Sequence, residues 1–197
     1  GATMLRTRNW VGWTPTQLMG VHVTGKRLGI LGMGRIGQAV ADRARAFRMQ
    51  IHYSNRSRLP PELEKGAVFH ANADDMLPHS DFLSINAPMT PATRKWVNAE
   101  RIAKLPQGAV IVNTARGGVV DDEALIAALK SGRIASAGID VFDGEPKIHP
   151  DYHDLENAFL LPHMGSATVE TRNAMGFKAL DNLEAFLLRK QAPPDLV

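Results

Sequence analysis

Three glycines have fixed spacing in the stretch Gly29-Ile30-Leu31-Gly32-Met33-Gly34-Arg35-Ile36-Gly37-Gln38, where Gly32, Gly34 and Gly37 follow the pattern G-x-G-x-x-G. The apolar run 26–31 predicts a short buried strand, and apolar residues at helical spacing over 38–47 predict a helix. A glycine-rich turn between strand and helix binds the pyrophosphate of a dinucleotide, because the backbone approaches closely and the helix N-terminus offers free N–H groups. The stretch therefore predicts a dinucleotide site. The alternative is a glycine-rich turn without a ligand.

The composition is that of an ordinary globular domain. The chain has 197 residues, of which 44% are apolar and 22% charged, and its formal net charge is +3. This small charge, with both signs mixed along the chain, does not favour nucleic acid or an anionic membrane as a partner. The absence of cysteine excludes disulfides, thiolate catalysis and zinc–thiolate sites, and no metal site is predicted. We find neither a signal-peptide pattern nor the ~18 apolar residues that span a bilayer, so we expect a cytoplasmic protein.

Strand-like and helix-like segments alternate along the rest of the chain. We predict strands over 50–54, 67–70, 82–87, 109–113, 136–141 and 159–161. Helices are predicted over 72–77, 99–104, 122–131 and from 167 to about 189. This alternation favours an α/β fold with a doubly wound parallel sheet (Rossmann) covered by helices on both faces.

Four further segments carry a specific resemblance. They read Asn86-Ala87-Pro88-Met89-Thr90-Pro91-Ala92-Thr93, Asn113-Thr114-Ala115-Arg116-Gly117-Gly118, Gly138-Ile139-Asp140-Val141-Phe142-Asp143-Gly144-Glu145-Pro146 and Leu161-Pro162-His163-Met164-Gly165-Ser166-Ala167-Thr168. Together with the glycine stretch, in this order, they resemble the D-isomer-specific 2-hydroxyacid dehydrogenases over about residues 5–197. Within that family they are most similar to the glyoxylate/hydroxypyruvate reductases. The resemblance implies a nicotinamide coenzyme, reduction of a small 2-oxo acid to the D-2-hydroxy acid, and a homodimer.

Three side chains in these segments offer the chemistry that this reduction requires. A 2-oxo acid needs a cation for its carboxylate and an acid for its carbonyl oxygen. Arg116 follows a predicted strand and can hold a carboxylate in bidentate fashion. His163 follows another strand and can give and take a proton near neutral pH, with Glu145 as the carboxylate that orients it. All three match the family's catalytic Arg, Glu and His. Taken singly, the alternatives are a surface arginine, a solvated glutamate and a capping histidine.

The resemblance also assigns contacts to the coenzyme. Asp140 would accept a hydrogen bond from the nicotinamide carboxamide, and the alternative is a strand-end cap. The segment with Ala87, Pro88 and Thr93 would lie against the adenosine half, and the alternative is a plain proline-rich loop. The other assigned contacts are Gly32, Gly34, Arg35, Ile36, Gly37, Thr114, Ala115 and Gly165.

The residues after the second predicted strand bear on the choice of coenzyme. An NAD site has Asp or Glu at this position, to bind the ribose 2′-hydroxyl. The chain has Ser54-Asn55-Arg56-Ser57-Arg58 instead. A carboxylate would repel a 2′-phosphate, whereas hydroxyl, amide and guanidinium groups would hold it. NADP(H) is therefore preferred over NAD(H), and the alternative is a solvated basic turn that does not distinguish the two.

The resemblance divides the chain into an inter-domain or dimer-contact segment (1–20), an NAD(P)-binding Rossmann domain (21–166) and a long C-terminal helix with a tail (167–197). Trp10 and Trp13 give the first segment apolar surface that a second domain or subunit would bury, unless it folds back on the core. The family's N-terminal substrate domain would precede residue 1, so we expect it to be absent. The chain is then a fragment with low or no activity alone, or a freestanding dinucleotide-binding or regulatory module. Its sequence does not distinguish one 2-oxo acid from another.

Overall fold

A seven-stranded parallel sheet forms the centre of the computed structural model, which describes residues 1–195. In chain order the strands are β1 (Arg27–Leu31), β2 (Gln50–Ser54), β3 (Val68–Phe69), β4 (Phe82–Ile85), β5 (Ala109–Asn113), β6 (Ile134–Ile139) and β7 (Ala158–Leu160). Their spatial order is β3-β2-β1-β4-β5-β6-β7, and every neighbouring pair is parallel. The order reverses between β1 and β4, which opens a crevice at their carboxyl ends. The predicted doubly wound sheet is confirmed.

The described residues form seven α-helices. They are α1 (Ala2–Arg6), α2 (Arg35–Ala46), α3 (Pro61–Glu64), α4 (Ala73–Met76), α5 (Ala99–Lys104), α6 (Asp122–Lys130) and α7 (Val169–Leu187). Short 3₁₀ helices lie at Leu77–His79, Gly117–Val119 and Pro150–Asp154. The helix α2 begins earlier than the predicted residue 38, because Gly34 has extended backbone angles and acts as its N-cap. The sequence patterns did not predict α1 and α3, which are each about one turn long.

Two strands differ from their predicted bounds in ways that affect the site. The strand β4 ends at Ile85, so Asn86 and Ala87 belong to the loop that follows it. The strand β6 runs from Ile134 to Ile139 and not over 136–141, which leaves Asp140 just past its end. Apolar residues continue beyond both strands, and for this reason the sequence pattern placed the strand ends too late.

Two apolar clusters bury the two parts of the sheet. One contains Ile85, Ile111 and Leu125, and the other contains Ile30 and Tyr53; all five side chains are fully buried. The clusters meet at β1 and β4, the strands on either side of the crevice. The loops that carry the predicted site residues therefore begin at strands that are anchored in the buried core.

Apolar surface at both ends of the chain lies outside this core. Val11 is fully exposed and Trp13 is 78% exposed, so the first segment does not fold back on the sheet. Within α7 only Ala185 is buried, whereas Phe177 and Phe186 are exposed. No helix in residues 1–195 is long and apolar enough to cross a membrane. Residues 196 and 197, the end of the predicted tail, lie outside the described residues.

Candidate active site

The crevice between β1 and β4 requires glycine at two positions. Gly32 has φ of +89°, and a Cβ built on it would lie 2.7 Å from the Ala87 backbone nitrogen. A Cβ on Gly37 would lie 2.4 Å from the Gly32 carbonyl oxygen. Because only glycine fits at both places, the turn after β1, the start of α2 and the loop after β4 pack closely together.

These segments enclose a space of about 520 Å³, which we call the glycine-loop cavity. Its walls are residues 31–34, the turn 54–57 after β2, and the loop after β4 from 86 to 93, with Gln38 and Leu59. The predicted coenzyme contacts that line it are Gly32, Gly34, Ser54, Asn55, Arg56, Ser57, Ala87, Pro88 and Thr93.

The other predicted coenzyme contacts, among them Arg58, do not line this cavity. Arg35 and Ile36 are exposed in the first turn of α2, and Gly37 is buried behind them. Thr114 and Ala115 follow β5, Asp140 follows β6 and Gly165 follows β7, at the same edge of the sheet.

Side-chain hydrogen bonds hold the loops of the cavity in place. Asn55 Oδ1 accepts a hydrogen bond from the Met33 N–H at 2.7 Å, which ties the turn after β2 to the glycine loop. Thr93 Oγ1 donates to the Pro88 carbonyl at 2.7 Å and accepts from the Thr90 N–H at 2.7 Å. Asn55 and Thr93, which the sequence analysis assigned to coenzyme contact, therefore also shape the walls.

The cavity has features that fit a dinucleotide. Asn86 Oδ1 is buried and has no hydrogen-bond partner among the described residues, so a donor from a ligand would satisfy it. A Cβ on Gly34 would meet nothing within 4 Å, which leaves room for an anion at the N-terminus of α2. Ser54 ends β2 without a carboxylate that would repel a phosphate.

The two arginines of the turn after β2 have different environments. Arg56 lines the glycine-loop cavity. Arg58 is not one of the lining residues, and its Nε and Nη2 atoms lie 2.8 Å and 3.0 Å from the carboxylate oxygens of Glu64. Of the two arginines, only Arg56 lines this cavity.

In the loops that follow β6 and β7, Glu145 and His163 form a pair. His163 Nδ1 lies 2.7 Å from Glu145 Oε2, and Glu145 Oε1 accepts a hydrogen bond from the Phe142 N–H at 2.7 Å. The contact with His163, the Phe142 N–H and the charge of Arg116 hold the pKa of Glu145 below its usual value. An ionised carboxylate can accept a hydrogen bond but cannot donate one, so the Nδ1 atom of His163 carries the proton in this contact. The Nε2 atom of His163 is then available to another partner.

Asp140 fixes the turn that carries this histidine. The Asp140 carbonyl accepts the His163 N–H at 2.9 Å, and its two carboxylate oxygens accept the N–H groups of Met164 at 2.7 Å and Gly165 at 2.8 Å. His163 itself has φ of +51°, a left-handed conformation that non-glycine residues adopt only when their surroundings impose it. Asp140 is therefore the strand-end cap that was the alternative to a coenzyme contact. The contact with the nicotinamide carboxamide stays a prediction.

Arg116 belongs to a turn that the buried Asn113 clamps. Asn113 Oδ1 accepts from the Ala115 N–H at 3.1 Å, and its Nδ2 donates to the Arg116 carbonyl at 3.0 Å. The Arg116 side chain is exposed, and its Nη1 donates to the Ala115 carbonyl at 2.6 Å. The charge of Arg116 also helps to lower the pKa of Glu145. The meeting of all three side chains on one substrate stays a prediction.

A second cavity, the histidine cavity, lies beside this pair. It has a volume of about 620 Å³ and is lined by Phe142, residues 145–148, His153 and residues 160–163. Its walls are mostly apolar apart from Glu145, His153, His163 and Lys147. Within residues 1–195, no group of three or more His, Asp or Glu side chains could hold a metal ion.

Sequence reasoning missed three supporting residues. Asn113 had a usable signal, since a polar residue that ends an apolar strand needs a partner, as Asp140 does. Tyr53 and Glu64 had none, because they meet only when the loop after β2 folds back on α3.

Comparison with known proteins assigns the family. The sequence pattern described as "D-isomer specific 2-hydroxyacid dehydrogenase, NAD binding domain" matches residues 1–165. The chain is similar to glycerate dehydrogenase from Hyphomicrobium methylovorum, with 49% identity over 187 residues, 94% of this chain and 58% of that protein. It is also similar to the solved structure of a glyoxylate reductase from Paecilomyes thermophila, with a TM-score of 0.90, 43% identity and coverage of 97% and 57%.

A further solved structure contains a coenzyme. It is an NADPH-dependent glyoxylate/hydroxypyruvate reductase from Sinorhizobium meliloti in complex with NADP and malonate, with a TM-score of 0.88, 37% identity and coverage of 97% and 59%. The chain thus spans 57–59% of the length of these three proteins. With residues 1–165 matched, the chain belongs to the D-isomer-specific 2-hydroxyacid dehydrogenase family, through its NAD-binding domain.

Proposed function

We propose that this chain provides the coenzyme domain and the catalytic side chains for NADPH-dependent reduction of a small 2-oxo acid, of the glyoxylate or hydroxypyruvate type, to the D-2-hydroxy acid. The 2.7 Å contact between His163 Nδ1 and Glu145 Oε2 is the observation that carries the proposal. It lies at the same edge of the sheet as the glycine-loop cavity. An imidazole oriented by a carboxylate is suited to protonate a carbonyl oxygen as negative charge develops on it.

Each side chain has one task in this reaction. When bound, the nicotinamide coenzyme supplies the hydride. Glu145 keeps the proton on Nδ1, so His163 gives the proton on Nε2 to the carbonyl oxygen and recovers it in the reverse direction. Arg116 binds the substrate carboxylate through two parallel N–H groups. Asp140 holds the turn that positions His163.

The exposure of the reaction centre supports low activity of residues 1–197 alone. The His163 side chain is 53% exposed and that of Glu145 is 33% exposed. A developing oxyanion gains less from nearby charges in water than in a closed site. Full activity therefore needs a cover over the cleft. The exposed Trp13 and α7 support the assignment of 1–20 and 167–197 to contacts with a substrate domain or a second subunit of a homodimer.

The preference for NADP(H) over NAD(H) is supported by the turn after β2. It presents Ser54, Arg56 and Ser57 to the glycine-loop cavity and no carboxylate. The NADPH-dependent relative from Sinorhizobium meliloti, whose structure contains NADP, supports the same preference. Serine hydroxyls and a guanidinium would bind a 2′-phosphate, whereas they offer little to a 2′-hydroxyl beyond ordinary hydrogen bonds.

A binding assay with both coenzymes tests this preference. We expect Arg56→Ala to weaken NADPH binding about 10- to 100-fold, since charge-assisted hydrogen bonds are lost, and to change NADH binding less than about twofold. Arg43→Ala is the matched control, because Arg43 is an arginine of α2 that donates to its own helix at the Ala39 carbonyl. An equal loss for both coenzymes would contradict the preference.

A turnover assay separates an enzyme from the second candidate, a freestanding dinucleotide-binding or regulatory module. NADPH oxidation is followed with glyoxylate, hydroxypyruvate and larger 2-oxo acids. Turnover with any of them supports the enzyme and ranks the substrates. Tight NADPH binding without turnover, in every form of the protein that contains this chain, supports the binding module. The solvent exposure of His163 is the observation that favours this second candidate.

A further inference from the structure

A buried carboxylate lies beneath the turn that follows β2. The Glu64 side chain on α3 is only 7% exposed, although it carries a charge. Its Oε1 accepts hydrogen bonds from the Tyr53 hydroxyl at 2.6 Å and from Arg58 Nε at 2.8 Å, and its Oε2 accepts from Arg58 Nη2 at 3.0 Å. The guanidinium and the carboxylate therefore meet in the bidentate geometry that gives such pairs their directional strength.

The same network holds both ends of the turn. Tyr53, the last but one residue of β2, is fully buried, and its hydroxyl accepts the Leu59 N–H at 2.9 Å while it donates to Glu64. The turn after β2 thus begins at Tyr53 and is closed at Leu59 by a hydrogen bond to the Tyr53 hydroxyl. Asn55 fixes the middle of this turn through the Met33 N–H.

The network also separates the two arginines of the turn. The Arg58 charge is paired with Glu64, and Arg58 is not one of the residues that line the glycine-loop cavity. Arg56 is left as the turn's guanidinium in the cavity wall.

We propose that Glu64 and Tyr53 are positioning residues for coenzyme discrimination, because they hold the turn so that Arg56 meets the 2′-phosphate and Arg58 does not. This inference rests on the proposed preference for NADPH. It assigns Arg58 to the support of the turn, whereas the residue types after the second predicted strand had assigned it to the coenzyme.

The charges of the network agree with a fixed arrangement. The hydrogen bonds from Arg58 and Tyr53 lower the pKa of Glu64, so the carboxylate stays ionised at neutral pH. Burial and the hydrogen bond to Glu64 raise the pKa of Tyr53, so its phenol stays a donor. Neither group changes its protonation near neutral pH, and the turn keeps one geometry there.

A double-mutant cycle on the dissociation constants of NADPH and NADH tests the proposal. We expect Glu64→Gln to weaken NADPH binding about tenfold and NADH binding less than about twofold. In an Arg56→Ala background the same substitution should have no further effect on NADPH, since Glu64 acts through Arg56. Glu62→Gln is the matched control, because it makes the same charge change at an exposed position of α3.

Tyr53→Phe is the second variant, and it covers the case in which Glu64→Gln does not fold. It removes the phenol oxygen that links Leu59 to Glu64, and the same selective loss of NADPH is expected. Thermal unfolding without coenzyme checks that each variant is folded. Equal weakening of both coenzymes, or an undiminished effect of Glu64→Gln in the Arg56→Ala background, would overturn the inference. If Arg56→Ala itself does not discriminate, the proposed coenzyme preference fails, which is a separate result.

Discussion

The glycine-loop cavity and the His163–Glu145 pair differ in how the structure supports them. Around the cavity, the supporting groups are buried: Glu64 is 5% exposed and Tyr53 is not exposed at all. In the His163–Glu145 pair the side chains themselves are accessible to solvent, with His163 53% and Glu145 33% exposed. The exception is Asp140, which is 5% exposed and holds the backbone under His163.

This difference separates coenzyme binding, which we expect of the described residues alone, from catalysis, which we expect to require a closed cleft. Groups that bind a coenzyme through fixed hydrogen bonds keep their geometry whether or not the cleft is closed. Groups that stabilise developing charge depend on exclusion of water, because a charge interaction in water is a small fraction of its value in a closed site. Coenzyme affinity and turnover are therefore expected to respond to different substitutions.

Removal of the imidazole that we propose as the general acid is expected to have the largest effect. His163→Ala should lower kcat about 100- to 10,000-fold, the usual contribution of general acid catalysis, and leave the NADPH dissociation constant unchanged. Steady-state kinetics and coenzyme titration measure the two quantities. His153→Ala is the matched control, since His153 lines the same cavity but the partner of Glu145 is His163. Similar losses in both variants would remove the case for His163 as the acid.

The buried anchor of the reaction centre comes next. Asp140→Ala leaves the N–H groups of Met164 and Gly165 without their acceptor, and we expect it to lower the free energy of unfolding by roughly 3 kcal/mol. The turn that holds His163 would loosen, so kcat should fall more than coenzyme affinity does. Urea unfolding and kinetics measure these changes. Asp154→Ala, at an exposed aspartate, should change neither.

Acid stability tests the histidine cluster around the buried His52 of β2. His52 on β2 is 9% exposed, its Nδ1 lies 3.0 Å from His70 Nε2, and its ring stacks on His79. Burial and the two neighbouring histidines lower the pKa of His52 from 6.5 to about 4. The folded state therefore binds this proton less readily than the unfolded chain, and stability is lost as pH falls from 6.5 towards 4.

At pH 5 this loss amounts to roughly 2 kcal/mol of the free energy of unfolding. His52→Gln should flatten the decline between pH 7 and pH 5, as measured by urea unfolding at each pH. His22→Gln removes an exposed histidine and should leave the decline unchanged. A wild-type protein equally stable at pH 7 and pH 5 would contradict the expectation.

The sequence predicts this molecule well where a residue's role depends on its own strand or turn. Gly32 and Gly37 sit in a local motif, and Arg116 and His163 each follow an apolar strand, so parallel topology alone brings them to one edge. The roles of Glu64 and Arg58 depend on a helix of one turn, whose position no periodic pattern specifies. For the same reason, sequence patterns assigned both arginines of the turn to coenzyme binding, whereas the structure pairs Arg58 with Glu64.

The smallest effect tests the coenzyme side of the comparison most directly. A Cβ on Gly34 meets nothing within 4 Å and the residue has φ of −77°, so Gly34→Ala should leave thermal stability unchanged. If the pyrophosphate lies against this backbone, the added methyl group keeps it at a distance, and we expect about tenfold weaker binding of both coenzymes. Gly20→Ala, also in open space, is the control. Unchanged affinity for both coenzymes would mean that the phosphates bind elsewhere, since no change in the fold could hide such an effect.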